Sequence, residues 1–124
     1  MGGGVDIGNL AALNAKLSLL RSALPDAEEA KMKRIVLQIE RDAKKKAPVD
    51  TGNLRGSIAS RVIRNTDGEV TGVVGSNVKY APFQEFGTSK MEAQPYLRPA
   101  VEENREKIRE LLGEGISDTI EEAE

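Results

Sequence analysis

Two short stretches of the sequence contain carboxylates that could do chemistry. The first is Asp50-Thr51-Gly52, which matches the three-residue signature of aspartic proteases, in which two such carboxylates share a proton. Its lead-in is Lys44-Lys45-Lys46-Ala47-Pro48-Val49 instead of an apolar strand, and Asn53 follows where a small residue is usual. A dimeric aspartic protease using Asp50 is therefore a remote alternative, and the pattern predicts a turn between a helix and a strand.

The second stretch places Glu85 between Phe83 and Phe86. A catalytic role would need a second polar partner at a pocket. We expect instead that this carboxylate accepts backbone N–H bonds or pairs with a cation such as Arg98.

The 124 residues include no cysteine and no histidine, which excludes disulfides, thiolate nucleophiles, imidazole bases and the usual zinc sites. No glycine cluster has phosphate-binding spacing. We therefore predict a protein that is not an enzyme, with no catalytic residue, no cofactor and no metal.

Charge is unevenly distributed along the chain. Residues 31–46 contain seven basic and two acidic side chains, whereas residues 101–124 contain nine acidic and three basic ones. With Arg55, Arg61 and Arg64, the basic region over residues 31–64 could contact a phosphate backbone, so a nucleic-acid-binding module is the main alternative. The same charges are also typical of solvated helix faces, or of docking between identical subunits.

The elements that would position these residues follow from periodicity. Leu10, Leu13, Leu17, Leu20 and Leu24 lie at helical spacing and predict a first helix that ends before Pro25. Asp26 and Glu29 form a capping box for a second helix, which ends at Pro48.

The pattern then changes to that of strands. Alternation around Ile58–Ile63, Asp67-Gly68 and the β-rich run Val70–Val74 predict a hairpin from about Ser57 to Gly75. Pro82–Phe86 is predicted to form one helical turn, and a last helix follows Pro95. The fold class is α+β: N-terminal helices, a β-hairpin forming a small antiparallel sheet, a short helical turn and a C-terminal helix.

We expect a single domain over residues 1–124. Residues 1–8 are predicted to be flexible, residues 87–94 to form a mobile loop, and residues 113–124 to form an acidic tail that frays. No apolar run is long enough to span a bilayer, and the first residues lack the pattern of a signal peptide.

Three motifs in order resemble the minor tail component family of lambda-like siphophages, which includes tail-completion, neck and head-to-tail joining proteins. The motifs are a lysine-rich helix ending in A-P-V-D-T-G-x-L-R-x-S, then Y-A-x-x-x-E-x-G-T, then P-x-L-R-P-A. The resemblance covers about Lys31 to Leu112 and leaves out the leucine-rich start and the acidic end.

The resemblance implies structural roles for the residues that carry the motifs. Asp50 to Asn53 would fix the chain reversal, the three aromatic side chains Tyr80, Phe83 and Phe86 would anchor the short turn on the core, and Glu85, Gly87 and Thr88 would set the exit of the loop. The motif residues are Pro48, Asp50, Thr51, Gly52, Leu54, Arg55, Tyr80, Ala81, Phe83, Glu85, Phe86, Gly87, Thr88, Pro95, Leu97, Arg98 and Pro99. The assembly loop, ordered by a neighbour, would be Ser89, Lys90, Met91, Glu92, Ala93 and Gln94.

The resemblance also implies a place and partners. The protein would be a structural virion component at the head–tail junction or in the tail of a bacteriophage or prophage, assembled in the cytoplasm of the bacterial host. It would form a homo-oligomeric ring, a hexamer being one option, and would contact neighbouring neck and tail proteins. Non-specific contact with phage DNA is a further option, and no membrane contact is expected.

Overall fold

An antiparallel sheet covered by helices on one face forms the framework of the protein. The computed structural model describes residues 15–21, 29–47, 52–64, 68–113 and 116–122. In chain order the elements are β1 (Ala15–Arg21), α1 (Glu29–Lys46), α2 (Gly52–Ser57), β2 (Ala59–Arg64), β3 (Val70–Ser76), α3 (Ala81–Phe86), α4 (Leu97–Glu103), α5 (Arg105–Leu112) and β4 (Ile116–Glu122). The predicted α+β class is confirmed.

The strands follow the order β2-β3-β1-β4, and every neighbouring pair is antiparallel. With the helices between them, this arrangement is the β-α-β-β-α-β plan of ferredoxin-like folds. β1 is therefore a central strand, bonded to β3 on one side and to β4 on the other.

The first predicted helix is wrong, because residues 15–21 form β1. Leu17 and Leu19 are both fully buried and lie two residues apart on the face that meets the helices. Ala15, Leu17 and Leu19 also give this short stretch a period of two, and pairing with two neighbouring strands outweighs the helical preference of leucine. Leu10, Leu13 and Leu24 lie outside the described residues.

The acidic end of the chain was also predicted wrongly, because residues 116–122 form the edge strand β4 instead of fraying. Ile116 and Ile120 are half-buried against the core, and Asp118 between them pairs with Arg105 at 3.2 Å. A charged residue on the inward face hides the alternation by which a strand is recognised.

The central helix α1 is confirmed. Its buried stripe is Met32, Ile35, Val36, Ile39 and Ala43. Three lysines occupy its last turn, where positive charges interact favourably with the helix dipole. The predicted cap, Asp26, lies outside the described residues.

The hairpin of β2 and β3 and the helical turn α3 are confirmed as well. In contrast to the predicted turn, the chain after residue 51 enters the short helix α2 at Gly52.

The final helix is divided at Asn104, whose side-chain amide donates to the Ala100 carbonyl and to Asp42 Oδ2 on α1, each at 2.8 Å. Burial raises the pKa of Asp42, but hydrogen bonds from Asn104 and Gln38 and two nearby lysines outweigh burial, so the pKa lies below its usual value.

Helix α1 approaches β3 closely at Gly72. A Cβ atom there would lie 2.5 Å from Val36 Cγ1 and 2.8 Å from Met32 Sδ. We predict that Gly72→Ala lowers the free energy of unfolding by about 1–3 kcal/mol, because the core would be overpacked. Urea denaturation followed by circular dichroism measures this loss.

Gly56 in α2 provides the matched control. A Cβ atom there would have no atom within 4 Å. Gly56→Ala should raise the free energy of unfolding by about 0.5–1 kcal/mol, since alanine favours a helix more than glycine does. Equal effects of the two substitutions would contradict the close contact at Gly72.

Candidate functional site

The candidate site is the surface formed by α3 and the loop over residues 87–95, which leads into α4. The loop begins at Gly87, whose φ of +78° is a left-handed conformation that favours glycine. A Cβ atom at this position would lie 2.8 Å from the backbone nitrogen of Ala93, so the returning part of the loop passes directly against Gly87. Residues 88–95 are exposed throughout.

The buried carboxylate of Glu85 joins α3 to the start of α4. Its Oε1 accepts the N–H groups of Tyr96 and Leu97 at 2.9 and 2.7 Å, and its Oε2 accepts that of Arg98 at 3.0 Å. The first N–H groups of a helix have no partner within the helix, and a negative charge there is favoured by the helix dipole. Tyr96, at the N-cap position, makes no side-chain capping bond, so Glu85 caps α4 from a separate element.

Tyr96 strengthens the same junction. It is fully buried, and its hydroxyl donates to the backbone carbonyl of Ala81 at 3.3 Å. Burial, and after it the nearby negative charge of Glu85, raises the pKa of Tyr96 above its usual value, so the hydroxyl stays protonated and keeps its role as donor.

The loop itself is held by backbone bonds. The N–H of Gln94 donates to the carbonyl of Gln84 at 2.7 Å, and Thr88 and Met91 exchange N–H bonds of 2.8 and 3.4 Å. The Thr88 hydroxyl also accepts the N–H of Lys90 at 3.2 Å. These bonds bring the two ends of the loop together beside α3.

Phe83 and Phe86 do not anchor α3 on the core, and this prediction was wrong. Phe83 is 50% exposed and Phe86 42% exposed. Ala81, Pro82 and Glu85 form the buried face of α3, and Phe83 and Phe86 lie away from that face. Tyr80, in contrast, is half-buried and packs against the core as predicted.

Together with Met91, which is 37% exposed, the two phenylalanines form what we call the aromatic patch. Leu37 on α1 is the fourth large apolar side chain found exposed in the described part of the chain. Three of these four therefore lie within nine residues of sequence, on one helix and the loop that follows it.

The remaining motif residues lie in several places. Pro48, Asp50 and Thr51 lie outside the described residues. The structure therefore does not test Asp50 as a protease residue. Leu54 and Leu97 are fully buried. Arg55 on α2 is half-buried and donates to the carbonyl of Ala47 at 3.4 Å. Arg98 and Pro95 are exposed, and Pro99 is half-buried.

Both oxygens of Glu85 are engaged by backbone N–H groups, which leaves this carboxylate in a structural role. Within the ranges that the structure describes, no group of acidic side chains could hold a metal ion. No helix in those ranges is long and apolar enough to cross a membrane.

Sequence reasoning missed the aromatic patch although a signal was available. Ala81 and Glu85 are four residues apart and share one helix face, so Phe83 and Phe86 cannot share it with them. If Glu85 is assigned to backbone capping and therefore to the inside, both phenylalanines must point outward.

We predict that Glu85→Gln lowers the free energy of unfolding by about 2–3 kcal/mol, because an amide provides one accepting oxygen and no charge for three N–H groups. Urea denaturation measures the loss. Glu92→Gln, in the exposed part of the loop, should change stability by less than about 0.5 kcal/mol. A Glu85→Gln protein as stable as the Glu92→Gln protein would contradict the capping role.

Comparisons with known proteins match the sequence to a family of phage tail components and the fold to a solved monooxygenase structure. Residues 11–87, more than half of the chain, match the family model of HK97-gp10-like proteins, described as "Bacteriophage HK97-gp10, putative tail-component". No curated protein matches the chain. The fold is similar to the crystal structure of a monooxygenase from the gene ActVA-Orf6 of Streptomyces coelicolor, solved with nanaomycin D, at a TM-score of 0.51 and 13% identity over 97% of this chain and 95% of that chain.

At such low identity the similarity to the monooxygenase concerns the fold alone. The family match includes α1, the hairpin and α3, and it also takes in β1, which the motif resemblance had left out. The chain therefore belongs to the HK97-gp10-like family of bacteriophage tail components.

Proposed function

We propose that this tail component is a non-enzymatic assembly subunit that completes the tail and joins it to the head, and that it acts as a homo-oligomeric ring. It would reside in the virion at the head–tail junction. The observation that carries the proposal is the aromatic patch, which lies on a helix held rigidly by Glu85.

The patch has the properties of a docking surface. Aromatic and methionine side chains are enriched in protein interfaces, where burial removes their large apolar surface from water. Glu85 fixes the backbone of α3 beneath Phe83 and Phe86, so the positions of these two side chains are established before any partner arrives.

The adjacent loop would supply the adaptable part of the interface. Residues 88–95 are exposed and are held at their ends by a few backbone bonds. Lys90 and Glu92 offer a charge of each sign to a neighbouring neck or tail protein. On assembly the loop would settle against that neighbour while the helix beneath it stays in place.

Electron microscopy of particles made without this protein tests the proposed role. A junction subunit leaves full heads and complete tails that are not joined, so we expect unjoined heads and tails and a loss of infectivity. Normal joined, infectious particles would overturn the role.

A variant of the patch tests the surface itself. We predict that Phe83→Ser/Phe86→Ser leaves a folded protein, because both side chains are already half-exposed, and that it fails to restore joined particles. The matched control is Leu37→Ser, which removes an equally exposed apolar side chain from α1 and should restore joining fully. Joining that survives the double substitution would show that the patch is not the docking surface.

A second candidate function is contact with DNA through α1. Lys33, Arg34, Arg41 and Lys45 are all exposed and follow one side of this helix. If this surface contacts phosphates, affinity for duplex DNA should fall steeply between about 50 and 200 mM salt. An absence of binding at low salt, measured by fluorescence anisotropy, would remove this candidate.

A further inference from the structure

The two outer strands of the sheet, β2 and β4, each have one edge that pairs with no other described strand. They are six and seven residues long, and neither contains proline or glycine. Edges of this kind are ready to pair with another chain, and proteins usually block them with bulges, prolines or charges. Here charge is the only such device present in the described strands.

The two edges carry opposite charges. β2 contains Arg61 and Arg64 and no acidic residue. β4 contains Asp118, Glu121 and Glu122 and no basic residue. Two β2 edges, or two β4 edges, would place like charges opposite one another, which is unfavourable. The charges therefore oppose pairing of identical edges and favour pairing of the β2 edge with the β4 edge.

We propose that the β4 edge of one copy pairs with the β2 edge of the next copy, so that one sheet continues from subunit to subunit. The inference rests on the proposed ring and names the surface that builds it. Strand directions permit the pairing, because each strand in the order β2-β3-β1-β4 runs opposite to its neighbour. A β2 strand placed beyond β4 continues this alternation with the helices of both copies on one side.

Side-chain orientation restricts the register. The helix-facing residues of β2 include Val62 and Arg64, because they share a face with Gly72 and Val70, and those of β4 include Asp118 and Ile120. A slip by one residue would place helix-facing residues opposite outward-facing ones, so only every second register keeps the faces matched.

One of the permitted registers pairs both arginines with acids. It sets Arg61 opposite Glu121 and Arg64 opposite Asp118, with Val62 opposite Ile120 between them. A shift by two residues in one direction sets the arginines opposite Thr119 and Ile116. A shift in the other direction sets Arg64 opposite Ile120 and leaves Arg61 beyond the end of β4. We therefore assign the first register.

The charges in this register are accessible to a neighbour. Arg61 is exposed and has no ion-pair partner among the described residues. Glu121 is 56% exposed, and its ion pair with Lys16, among the described residues, is long at 3.7 Å. Arg64 and Asp118 already pair with Glu29 and Arg105, so their meeting would extend two ion pairs into a group of four charges.

Pairing of two different edges has a consequence for symmetry. The contact is head-to-tail, and repeating it gives a closed ring or an open filament instead of a simple two-fold dimer. This agrees with the ring proposed for the junction.

Engineered cysteines test the register directly, because the natural chain has none. Ile63 and Thr119 should lie opposite one another on the outward face, so mixing Ile63→Cys chains with Thr119→Cys chains should give a disulfide-linked heterodimer upon oxidation. The two sites within one chain are on opposite edges, about 14 Å apart across three strand spacings, which is too far for a disulfide. The double variant Ile63→Cys/Thr119→Cys should give a ladder of covalent oligomers.

The matched control combines Ile63→Cys with Ser117→Cys, which is shifted by two residues on the same face and should crosslink poorly. Both experiments are run on concentrated protein and on tails assembled in the bacterial host. If neither setting gives the Ile63–Thr119 crosslink, or if the Ser117 control crosslinks equally well, the proposed pairing is overturned.

Charge reversal provides a second, independent test. Arg61→Glu and Glu121→Arg should each weaken association about 5- to 30-fold, as measured by sedimentation, and Arg61→Glu/Glu121→Arg should restore it. Arg34→Glu makes the same change at an exposed arginine of α1 and should have no effect. Association that is insensitive to both single reversals would overturn the pairing.

The outcomes separate this inference from the proposed function. If oligomers form and the charge reversals do not change their association, the edge pairing is overturned and the role at the junction is unaffected. Particles that join normally without the protein overturn the role, whereas the crosslink and the charge rescue would still report on the edges.

Discussion

The carboxylate of Glu85 is the interaction on which the candidate site depends. A helix that begins inside a protein leaves several N–H groups without partners, and here one side chain from a different element satisfies three of them. As a result, the start of α4 is attached to α3, and the intervening loop must leave and return at the same place. The outward position of Phe83 and Phe86 follows from this, because the face of α3 that holds Glu85 is occupied by the junction with α4.

Where local and tertiary preferences agree, the fold could be predicted from the sequence. In α1 the apolar stripe, the acidic first turn and the basic last turn all indicate the same helix. The hairpin likewise combines β-rich runs with an Asp-Gly turn signal.

The two strands that escaped prediction are those whose structure depends on distant partners. β1 contains leucines, which favour helices, and becomes a strand only because β3 and β4 lie on either side of it. β4 contains acidic residues that indicate solvent, one of which, Asp118, is satisfied by Arg105 on α5. Since both strands were missed, the four-stranded sheet and its edges could not be foreseen, and for the same reason the β-α-β-β-α-β plan was not recognised.

The helix layer covers one side of a sheet whose edges differ in charge. In a ring closed through those edges, every subunit would present its helices to the same side of the continuous sheet. One wall of the annulus would then consist of helices and the other of strands, and the two rims would differ as well, because head-to-tail contacts repeat by rotation about a single axis. Such a ring would make different contacts in its two possible orientations between head and tail. The direction of the junction would therefore already be encoded in the asymmetry of a single subunit.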